Sequence, residues 1–445
     1  MAYPCLSFNQ DFSCLCAGSD TSLRIYNVDP FGECFELGEG ASVAQMLFST
    51  SLVTVVGAGT GKPSQSTRRL RILNTKKKAT ICELTFPTAV LSVKLNRKRL
   101  VVVLVDQIYV YDISCMKLLH TIETSPNELA LCDLSSSDDS ILLYPAPGPS
   151  VASPFDTLPP LPNASSNATV TSTSSNITTV SSSGTRDAKK GSETGTVVLF
   201  DALNIAPLNI IKAHKTELAV MALNSTGTLL ATASNKGTII RVFNTLSGTR
   251  VAEFRRGSYS AQIHSLTFDT GSNLLAAASE TETIHIFKLD TTATASATSI
   301  TATSTSPHAA LPEDTITGSD NEYDYESDER EERILPRASS VSSSSDPIST
   351  NPSQKRQASI TDKLLQNLPR NITSMLEPQR HFASVKLHHS SSTSSSSASG
   401  STKTRHTIGF NGKHVIIAST DGSVNVYEVP MKGGECVLMK QYSLD

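Results

Sequence analysis

One phrase recurs seven times along this 445-residue chain, and it limits the fold more than any other feature. The phrase is a polar turn, a run of β-branched residues, a break of small residues, and a short strand ending in an aromatic or aliphatic residue. Successive copies in the middle of the chain end 43 and 44 residues apart. The seven copies end at Tyr26, Leu73, Tyr111, Phe200, Phe243, Phe287 and Tyr427.

Repeats of ~40–45 residues that each hold several short strands are typical of a β-propeller. We therefore predict an all-β fold, a seven-bladed β-propeller of WD40-like repeats that spans residues 1–445 as a single domain. The chain has no Trp, so Tyr or Phe followed by Asn, Asp, Lys or Glu replaces the Trp-Asp pair of WD repeats. A pair of β-sandwiches is the alternative, and the even period disfavours it.

Two of the spacings are far too long for one repeat, and low-complexity tracts account for the excess. Residues 146–190 and 290–380 consist mainly of Ser, Thr, Asn, Ala and Pro. Such segments bury too little apolar surface to fold alone. Because the repeats resume in phase after each tract, we predict disordered insertions in blade 4 and blade 6, not linkers between domains.

Composition excludes several classes of protein. A net charge of −3 gives no global nucleic-acid signature, so any anion site must be a local basic patch. The chain has no run of ~18 apolar residues that would span a membrane. Its N-terminus lacks the basic and apolar regions of a secretory signal, and the eight cysteines form no CxxC pair. We therefore expect a cytoplasmic protein with reduced thiols.

Several apparent catalytic or metal motifs fail on inspection. The segment GAGTGKP at 57–63 has Pro63 where a phosphate loop needs Ser or Thr, which predicts an ordinary loop. His381, His388 and His389 have no Cys or carboxylate partners nearby in the sequence, so they predict no metal site. No catalytic constellation recurs at a repeat boundary, and we predict no enzyme activity, cofactor or metal.

The most informative segment is Phe254-Arg255-Arg256-Gly257, at the end of a predicted strand. Successive side chains of a strand point to opposite faces, so the two arginines would serve two crevices, toward blades 5 and 6. Each guanidinium can hold a phosphate group with two hydrogen bonds. The flanking repeats offer hydroxyl, imidazole and cationic side chains, which indicates two phosphate pockets. The alternative is a solvated arginine pair in a hairpin.

The segments FRRG at 254–257, AHK at 213–215, LLATASNKGTIIRVF at 229–243 and SETETIHIFKL at 279–289 resemble the PROPPIN family of phosphoinositide-binding seven-bladed propellers. Stretches in the other blades, among them 68–104, 109–126 and 433–445, are similar to the autophagy branch of that family. The resemblance covers every blade and stops at the two low-complexity tracts.

The resemblance implies binding of phosphatidylinositol 3-phosphate and phosphatidylinositol 3,5-bisphosphate at two rim sites. It also implies peripheral recruitment to the phagophore assembly site, endosome and vacuole during autophagosome formation. The first site would use His214, Ser234, Lys236, Thr238, Arg241 and Arg255. The second site would use Arg256, Ser279, Thr281, Thr283 and His285. Protonation of the two histidines near pH 6 should tighten binding, if both face phosphate.

The resemblance further implies a lipid-transfer partner of the autophagy-related protein two type, bound by a loop of blade 2. The matching loop holds Thr67, Arg68 and Arg69, and Thr67 stands where the family often has Pro. That departure weakens the expectation of this contact.

The insertion in blade 6 corresponds to the family's membrane-inserting loop. Within its segment 361–378, six apolar residues fall within about 120° of a helical wheel, which predicts an amphipathic helix suited to a headgroup layer. They are Leu364, Leu365, Leu368, Ile372, Met375 and Leu376. A helix docked on the flank of the propeller is the alternative.

Two other functions compete with a phosphoinositide effector. One is a soluble propeller scaffold that binds only proteins. The other is a propeller hydrolase, which would need carboxylates clustered at the central channel, and the repeats supply none.

Overall fold

The computed structural model describes residues 2–61, 65–147, 195–289, 378–387 and 404–444. These residues form seven sheets of four or five short strands each, and they contain no α-helix. All strand pairs within the sheets are antiparallel except one short parallel pair in blade 6. Blade 1 contains β1 (Cys5–Phe8), β2 (Cys14–Gly18), β3 (Leu23–Val28) and β4 (Phe31–Leu37). Blade 2 contains β5 (Ala41–Met46), β6 (Leu52–Gly57), β7 (Arg69–Asn74) and β8 (Ala79–Thr85).

The next blades follow the same order along the chain. Blade 3 contains β9 (Ser92–Leu95), β10 (Arg99–Val103), β11 (Gln107–Asp112) and β12 (Leu118–Glu123). Blade 4 contains β13 (Asp133–Leu134), β14 (Ile141–Pro145), β15 (Thr196–Asp201) and β16 (Ala206–Lys212). Blade 5 contains β17 (Leu218–Leu223), β18 (Leu229–Ser234), β19 (Ile239–Asn244) and β20 (Arg250–Arg255).

Blades 6 and 7 complete the ring. Blade 6 contains β21 (Ile263–Phe268), β22 (Leu274–Ser279), β23 (Thr283–Lys288) and β24 (Ala383–Lys386). Blade 7 contains β25 (His406–Asn411), β26 (His414–Ser419), β27 (Ser423–Glu428) and β29 (Val437–Ser443). The short strand β28 (Gly434–Glu435) leaves blade 7 and joins the outer edge of blade 6. The prediction of a seven-bladed, all-β propeller is confirmed.

The residue that ends each copy of the repeated phrase has a common structural position. All seven lie in the third strand of their blade and are buried. In six blades a β-bulge toward the fourth strand falls immediately before this residue, for example between Val242 and Phe243. A bulge twists the outer strand more strongly. Blade 6 is the exception, because its β23 and β24 pair without a bulge.

The core consists of seven apolar clusters among the described residues, and each lies between two adjacent blades. The seventh joins blade 7 to blade 1, so the ring is closed. Most of these positions hold Val, Ile, Leu or Ala, which fill the narrow space between twisted sheets without Trp. The stacked rings of Phe254 and Phe287, 4.8 Å apart, mark the cluster between blades 5 and 6.

The seam between blades 1 and 7 closes without any exchange of strands. The hydroxyls of Tyr3 and Tyr26 both donate to the carbonyl oxygen of Leu444, at 2.9 and 2.8 Å. Phe31 stacks on Tyr442, with 4.2 Å between ring centroids. The backbone N–H of Tyr3 also donates to the carbonyl oxygen of Thr420 at 2.8 Å, so side-chain contacts, burial and this backbone bond hold the seam.

The chain that completes blade 6 is fastened on both sides. Gln379, just before β24, forms a parallel bridge with Phe254 on the outer strand of blade 5. β24 pairs with β23 on one side and with β28, in parallel, on the other. The outer edges of blades 5, 6 and 7 are thus connected by backbone pairing through residues 378–387.

The inner strands of the seven blades surround a central cavity of ≈ 360 Å³. Two carboxylates line it among the described residues, and both have structural partners. Asp133 pairs with Lys94 at 3.1 Å and accepts the backbone N–H of Leu223. Asp269 accepts the backbone N–H groups of Asn273 and Leu274.

All eight cysteines have free thiols; five are buried, Cys82 is half-buried, and Cys34 and Cys115 are exposed. Within the described ranges, the structure contains no helix long and apolar enough to cross a membrane.

Candidate functional site

The two predicted groups of site residues lie at one end of blades 5 and 6. In blade 5, Ser234 ends β18, and Ile239, which begins β19, pairs with Arg255 at the end of β20. In blade 6, Ser279 ends β22 and Thr283 begins β23. Antiparallel strands bring these ends to the same edge of the sheet, so residues far apart in sequence share one face of the propeller.

Arg241 is the centre of the first group. Its Nη1 donates to the carbonyl oxygen of Ala213 at 2.7 Å and lies 3.4 Å from Nδ1 of His214. Its Nε pairs with a carboxylate oxygen of Glu253 at 2.9 Å. The guanidinium is thus fixed in position, and part of its charge is balanced before any ligand binds.

His214 connects the segment between β16 and β17 to the strands of blade 5. Its Nε2 lies 3.0 Å from the hydroxyl of the buried Thr232. Burial, followed by the neighbouring Arg241 charge, lowers the pKa of His214 to about 4. Burial, followed by His381 and Arg256, also lowers the pKa of His285 to about 4. Both histidines are neutral at pH 6 in the free protein, which corrects the expected titration near that pH.

The remaining residues of the first group occupy the end of the blade. Ser234 is buried, Thr238 is half-buried, and Lys236 and Arg255 are exposed. The backbone carbonyl of Lys236 accepts hydrogen bonds from Ser260 and Ala261, which tethers this turn to the chain entering blade 6. The Arg255 guanidinium lies 3.5 Å from the Ser258 hydroxyl, a long contact. Two cationic groups are therefore presented to solvent beside the fixed Arg241.

Arg256 differs sharply from Arg255, because it is only 7% exposed. Its Nε donates to the carbonyl oxygen of Gly237 at 2.6 Å, and its Nη2 donates to the carbonyl of Tyr259. The two arginines thus have different environments, as strand alternation predicts, with one open to solvent and the other clamping two loops.

The second group lies on blade 6. Ser279 and Thr281 are joined by a 2.8 Å hydrogen bond between their hydroxyls, and the Thr281 hydroxyl is 3.4 Å from the carbonyl oxygen of Thr283. His285 is buried, and its Nδ1 has no hydrogen-bond partner among the described residues. Its pKa is lowered in part by the Arg256 charge, so the guanidinium and the imidazole interact electrostatically. Hydroxyl, imidazole and guanidinium groups of this kind suit an anion.

The predicted partner loop lies at the start of β7. The backbone carbonyl of Thr67 accepts the N–H of Val90. Arg69 pairs with Glu83 at 3.1 Å, and the Nη1 of Arg68 is 3.3 Å from the carbonyl oxygen of Pro87. Arg68 is the exposed member of the pair. The apolar residues of the predicted membrane helix, at 364–376, lie outside the described residues.

Three residues of this region were absent from the two predicted groups of site residues. Thr232 and Glu253 contact His214 and Arg241, and His381 lies against His285. Register could have revealed Thr232 and Glu253, because both are directly opposite Arg241 on neighbouring strands. No sequence pattern places His381 here, because it lies 96 residues after His285 in the chain.

The fold and the basic end of blades 5 and 6 define a seven-bladed β-propeller without WD motifs. The PROPPIN family model matches residues 2–153 and 156–306, and the chain belongs to this family.

Relatives of similar length are autophagy-related proteins. Autophagy-related protein 21 of Pichia angusta is 40% identical over 100% of both chains. Autophagy-related protein 18 of Yarrowia lipolytica is 41% identical over 99% of this chain and 96% of the relative. This protein is therefore an autophagy-related PROPPIN propeller.

Solved structures agree on the fold. KlAtg21, solved in complex with the coiled coil of AgAtg16, matches with a TM-score of 0.62 and 30% identity over 100% of both chains. Kluyvelomyces marxianus Hsv2 matches with a TM-score of 0.59 over 100% of this chain and 99% of its own, at 18% identity.

Proposed function

We propose that this protein is a non-enzymatic effector that binds phosphatidylinositol 3-phosphate and phosphatidylinositol 3,5-bisphosphate. It binds them through two rim sites on either side of the segment 254–257. Binding recruits the propeller to the phagophore assembly site, endosome and vacuole as a peripheral membrane protein, where it acts in autophagosome formation and in vacuole and endosome function.

One observation carries the proposal: hydroxyl, imidazole and cationic side chains from two blades lie at a single end of the propeller. His214 and Arg241 belong to one group, Ser279 and His285 belong to the other, and the clamp of Arg256 lies between them. A phosphate group can accept several hydrogen bonds from such donors while its charge is balanced. Membership of the PROPPIN family supports this assignment.

Two sites on one rigid body bind a membrane more tightly than either site alone. Once one headgroup is held, the second binding event is effectively intramolecular, and the combined affinity can exceed either single affinity by ~10²–10⁴-fold. Weak individual pockets, one of which already shares its Arg241 with Glu253, are therefore sufficient for stable recruitment.

Vesicle flotation tests the proposal. The wild type should float with phosphatidylcholine vesicles that contain phosphatidylinositol 3-phosphate, and not with phosphatidylcholine alone. The double variant Arg255→Thr/Arg256→Thr should lose this binding. Because Arg256 is buried and holds two loops, Arg255→Thr alone is the cleaner variant, and it should weaken binding without altering the fold.

Arg97→Thr is the matched control, since Arg97 is an exposed arginine between β9 and β10 of blade 3. It should leave flotation unchanged. Unaltered flotation of both Arg255→Thr and the double variant would contradict two rim sites.

The amphipathic segment 361–378 would add apolar insertion to headgroup binding. Replacing Leu364, Leu368 and Ile372 with Ser should weaken flotation while leaving binding of the soluble inositol phosphate headgroup unchanged. An equal loss in both assays would place this segment on the propeller flank instead of in the membrane.

A lipid-transfer partner of the autophagy-related protein two type would dock on the loop that contains Thr67, Arg68 and Arg69. Arg68 supplies the exposed charge, and Arg69 is engaged by Glu83. Arg68→Glu should reduce co-purification with that partner while vesicle flotation remains intact. Unchanged co-purification would remove this loop from the interface.

A soluble scaffold that binds only proteins is the competing function. The solved complex of the relative KlAtg21 with the coiled coil of AgAtg16 supports a protein-docking role beside lipid binding. A wild-type protein that binds a coiled-coil partner and floats with no vesicle would favour the scaffold.

A further inference from the structure

The short segment that leads into β24 is held firmly across blades 5 and 6. The N–H of Gln379 donates to the carbonyl oxygen of Glu253 at 3.0 Å, and the N–H of Arg255 donates to the carbonyl oxygen of Gln379 at 2.8 Å. The N–H of Phe382 donates to the carbonyl oxygen of Ile286, also at 2.8 Å. The backbone on both sides of His381 is therefore fixed, and the position of this histidine is a property of the fold.

His381 lies over the buried histidine of the second site. The ring centroids of His381 and His285 are 4.9 Å apart, with 52° between the ring planes. His381 is exposed, whereas His285 is only 9% exposed. Within the part of the chain that the structure describes, the Nδ1 of His285 has no hydrogen-bond partner, although it is buried. A buried polar atom left without a partner destabilises the folded state, so a native structure that keeps one requires an explanation.

The electrostatic surroundings of His285 favour an anion. Besides burial, His381 and then Arg256 lower its pKa. The residues directly opposite it on β22 and β24 are Ala277 and Ser384, which carry no charge. Three groups able to carry positive charge therefore converge here, and the flanking strands place no carboxylate opposite the imidazole.

We propose that His381 is a phosphate ligand of the second site, acting together with His285 and Arg256; this rests on the proposed function. The ligand chemistry is a phosphate monoester, from a lipid headgroup or from free phosphate. A phosphate oxygen between the two rings supplies the missing partner of Nδ1 and stabilises the imidazolium form. A proton then transfers from a solvent hydronium ion to an imidazole nitrogen, so that an O–H bond breaks and an N–H bond forms, and no bond of the phosphate ester changes.

This assignment places headgroup ligands on both sides of the blade 6 insertion. His381 lies four residues after the undescribed residues 290–377, in the segment that leads into β24. A bound phosphate would therefore be held by residues on both sides of the insertion, with His285 before it and His381 after it.

Vesicle flotation from pH 5.5 to 7.5 tests the ligand in the full-length protein. Vesicles of phosphatidylcholine with and without phosphatidylinositol 3-phosphate are used, in the Arg255→Thr background so that the second site dominates. His381→Gln should lower affinity about 3- to 10-fold at the acidic end, the range of one hydrogen bond, and flatten the pH profile. His414→Gln is the matched control, because His414 is a half-buried histidine on blade 7. It should change neither the affinity nor the pH profile.

Calorimetry with soluble inositol 1,3-bisphosphate, in two buffers of different ionisation enthalpy, measures proton uptake directly. The wild type should take up a proton on binding, and His381→Gln should take up less. Inorganic phosphate that binds as tightly as the headgroup would assign the site to free phosphate; a clear preference for the headgroup assigns it to lipid.

The two hypotheses fail in different ways. If the wild type floats while His381→Gln matches it in affinity, pH profile and proton uptake, His381 is not a ligand and the proposed function stands. If the wild type neither floats nor binds the soluble headgroup, the proposed function and this inference are both wrong. Circular dichroism of each variant confirms that the exposed His381 position can change without unfolding.

Discussion

The Nε of Arg256 donates to the carbonyl oxygen of Gly237 at a distance of 2.6 Å. This bond joins the residue after β20 to the turn between β18 and β19, and a second bond from the same guanidinium reaches the carbonyl of Tyr259. The second arginine of the Phe-Arg-Arg-Gly segment thus shapes the loops that carry the candidate sites.

Arg256→Ala should therefore destabilise the protein, whereas Arg255→Ala should not. The loss of two hydrogen bonds from a charged donor leaves partly buried carbonyls unpaired and should cost about 2–4 kcal/mol. The exposed Arg255 should cost less than ~0.5 kcal/mol, as is usual for surface substitutions. Urea denaturation measures both. Equal losses of unfolding free energy for the two substitutions would show that the hydrogen bonds of Arg256 do not stabilise the fold.

Gly237 and Gly257 should respond differently to alanine. Gly237 has a φ of +60°, and a Cβ there would lie 1.8 Å from the carbonyl oxygen of Ala261. At Gly257 no heavy atom lies within 4 Å of a built Cβ. Gly237→Ala should cost more than ~1 kcal/mol because of strain and displacement of backbone, and Gly257→Ala should be near neutral. Thermal unfolding compares them; a costly Gly257→Ala would contradict this distinction.

The stability of the fold should fall as the pH falls from 6.5 toward 4. Burial is the main cause that lowers the pKa of His214, His264 and His285 to about 4, from an ordinary value of 6.5. In this range the unfolded chain binds more protons than the folded protein, so stability rises with pH. Each histidine should remove about 1–2 kcal/mol between pH 7 and pH 5.

Urea denaturation of the wild type, His264→Gln and His414→Gln at pH 7 and pH 5 isolates the contribution of His264 to this loss of stability. His264 accepts the backbone N–H of His406 through Nε2, which requires a neutral ring. His264→Gln should show a smaller pH effect than the wild type, and His414→Gln the same effect. Identical pH dependence in all three proteins would mean that burial does not control the titration of His264.

The seam between blades 1 and 7 should show energetic coupling between Tyr3 and Tyr26. Both hydroxyls donate to the carbonyl oxygen of Leu444, and the only further donor to it among the described contacts is Nη1 of Arg24, at 3.2 Å. Tyr3→Phe and Tyr26→Phe should each cost ~0.5–1.5 kcal/mol. The double variant should cost more than their sum, because a buried carbonyl then loses both near donors.

Tyr442→Phe is the control for this cycle, because it keeps the ring that stacks on Phe31. It should leave the unfolding free energy unchanged within ~0.5 kcal/mol. Strict additivity of the two tyrosine substitutions would show that the shared acceptor is not the basis of the seam.

The seven-bladed ring could be predicted from the sequence because the phrase that marks one blade occurs seven times. Each blade needs a buried aromatic or aliphatic residue in its third strand, so Tyr26, Phe243 and Tyr427 recur at a nearly constant interval. The same regularity explains why strand ends, and with them the two groups of site residues, could be placed on one face. Whether those groups bind lipid stays a prediction.

The sequence did not reveal the contacts that cross between repeats. β24 is a four-residue strand after a long biased tract, too short for a period to stand out. His381 lies beside His285 because backbone hydrogen bonds at Gln379 and Phe382 fix the chain on both sides of it. The sequence also did not predict that His214 is neutral, because this depends on its burial and on the nearby Arg241 charge, which the neighbouring residues in the sequence do not indicate.

Residues 378–387 join three blades by their backbone, at Gln379 to blade 5 and through β24 to the strand β28 that comes from blade 7. Local opening in proteins usually follows cooperative units. Blade 6 therefore cannot lose its outer strand without freeing the rims of both neighbours, so these three rims form one unit of unfolding. Amide hydrogens of β20, β24 and β28 should exchange with a common opening free energy, and an event that displaces this one segment would loosen nearly half of the ring.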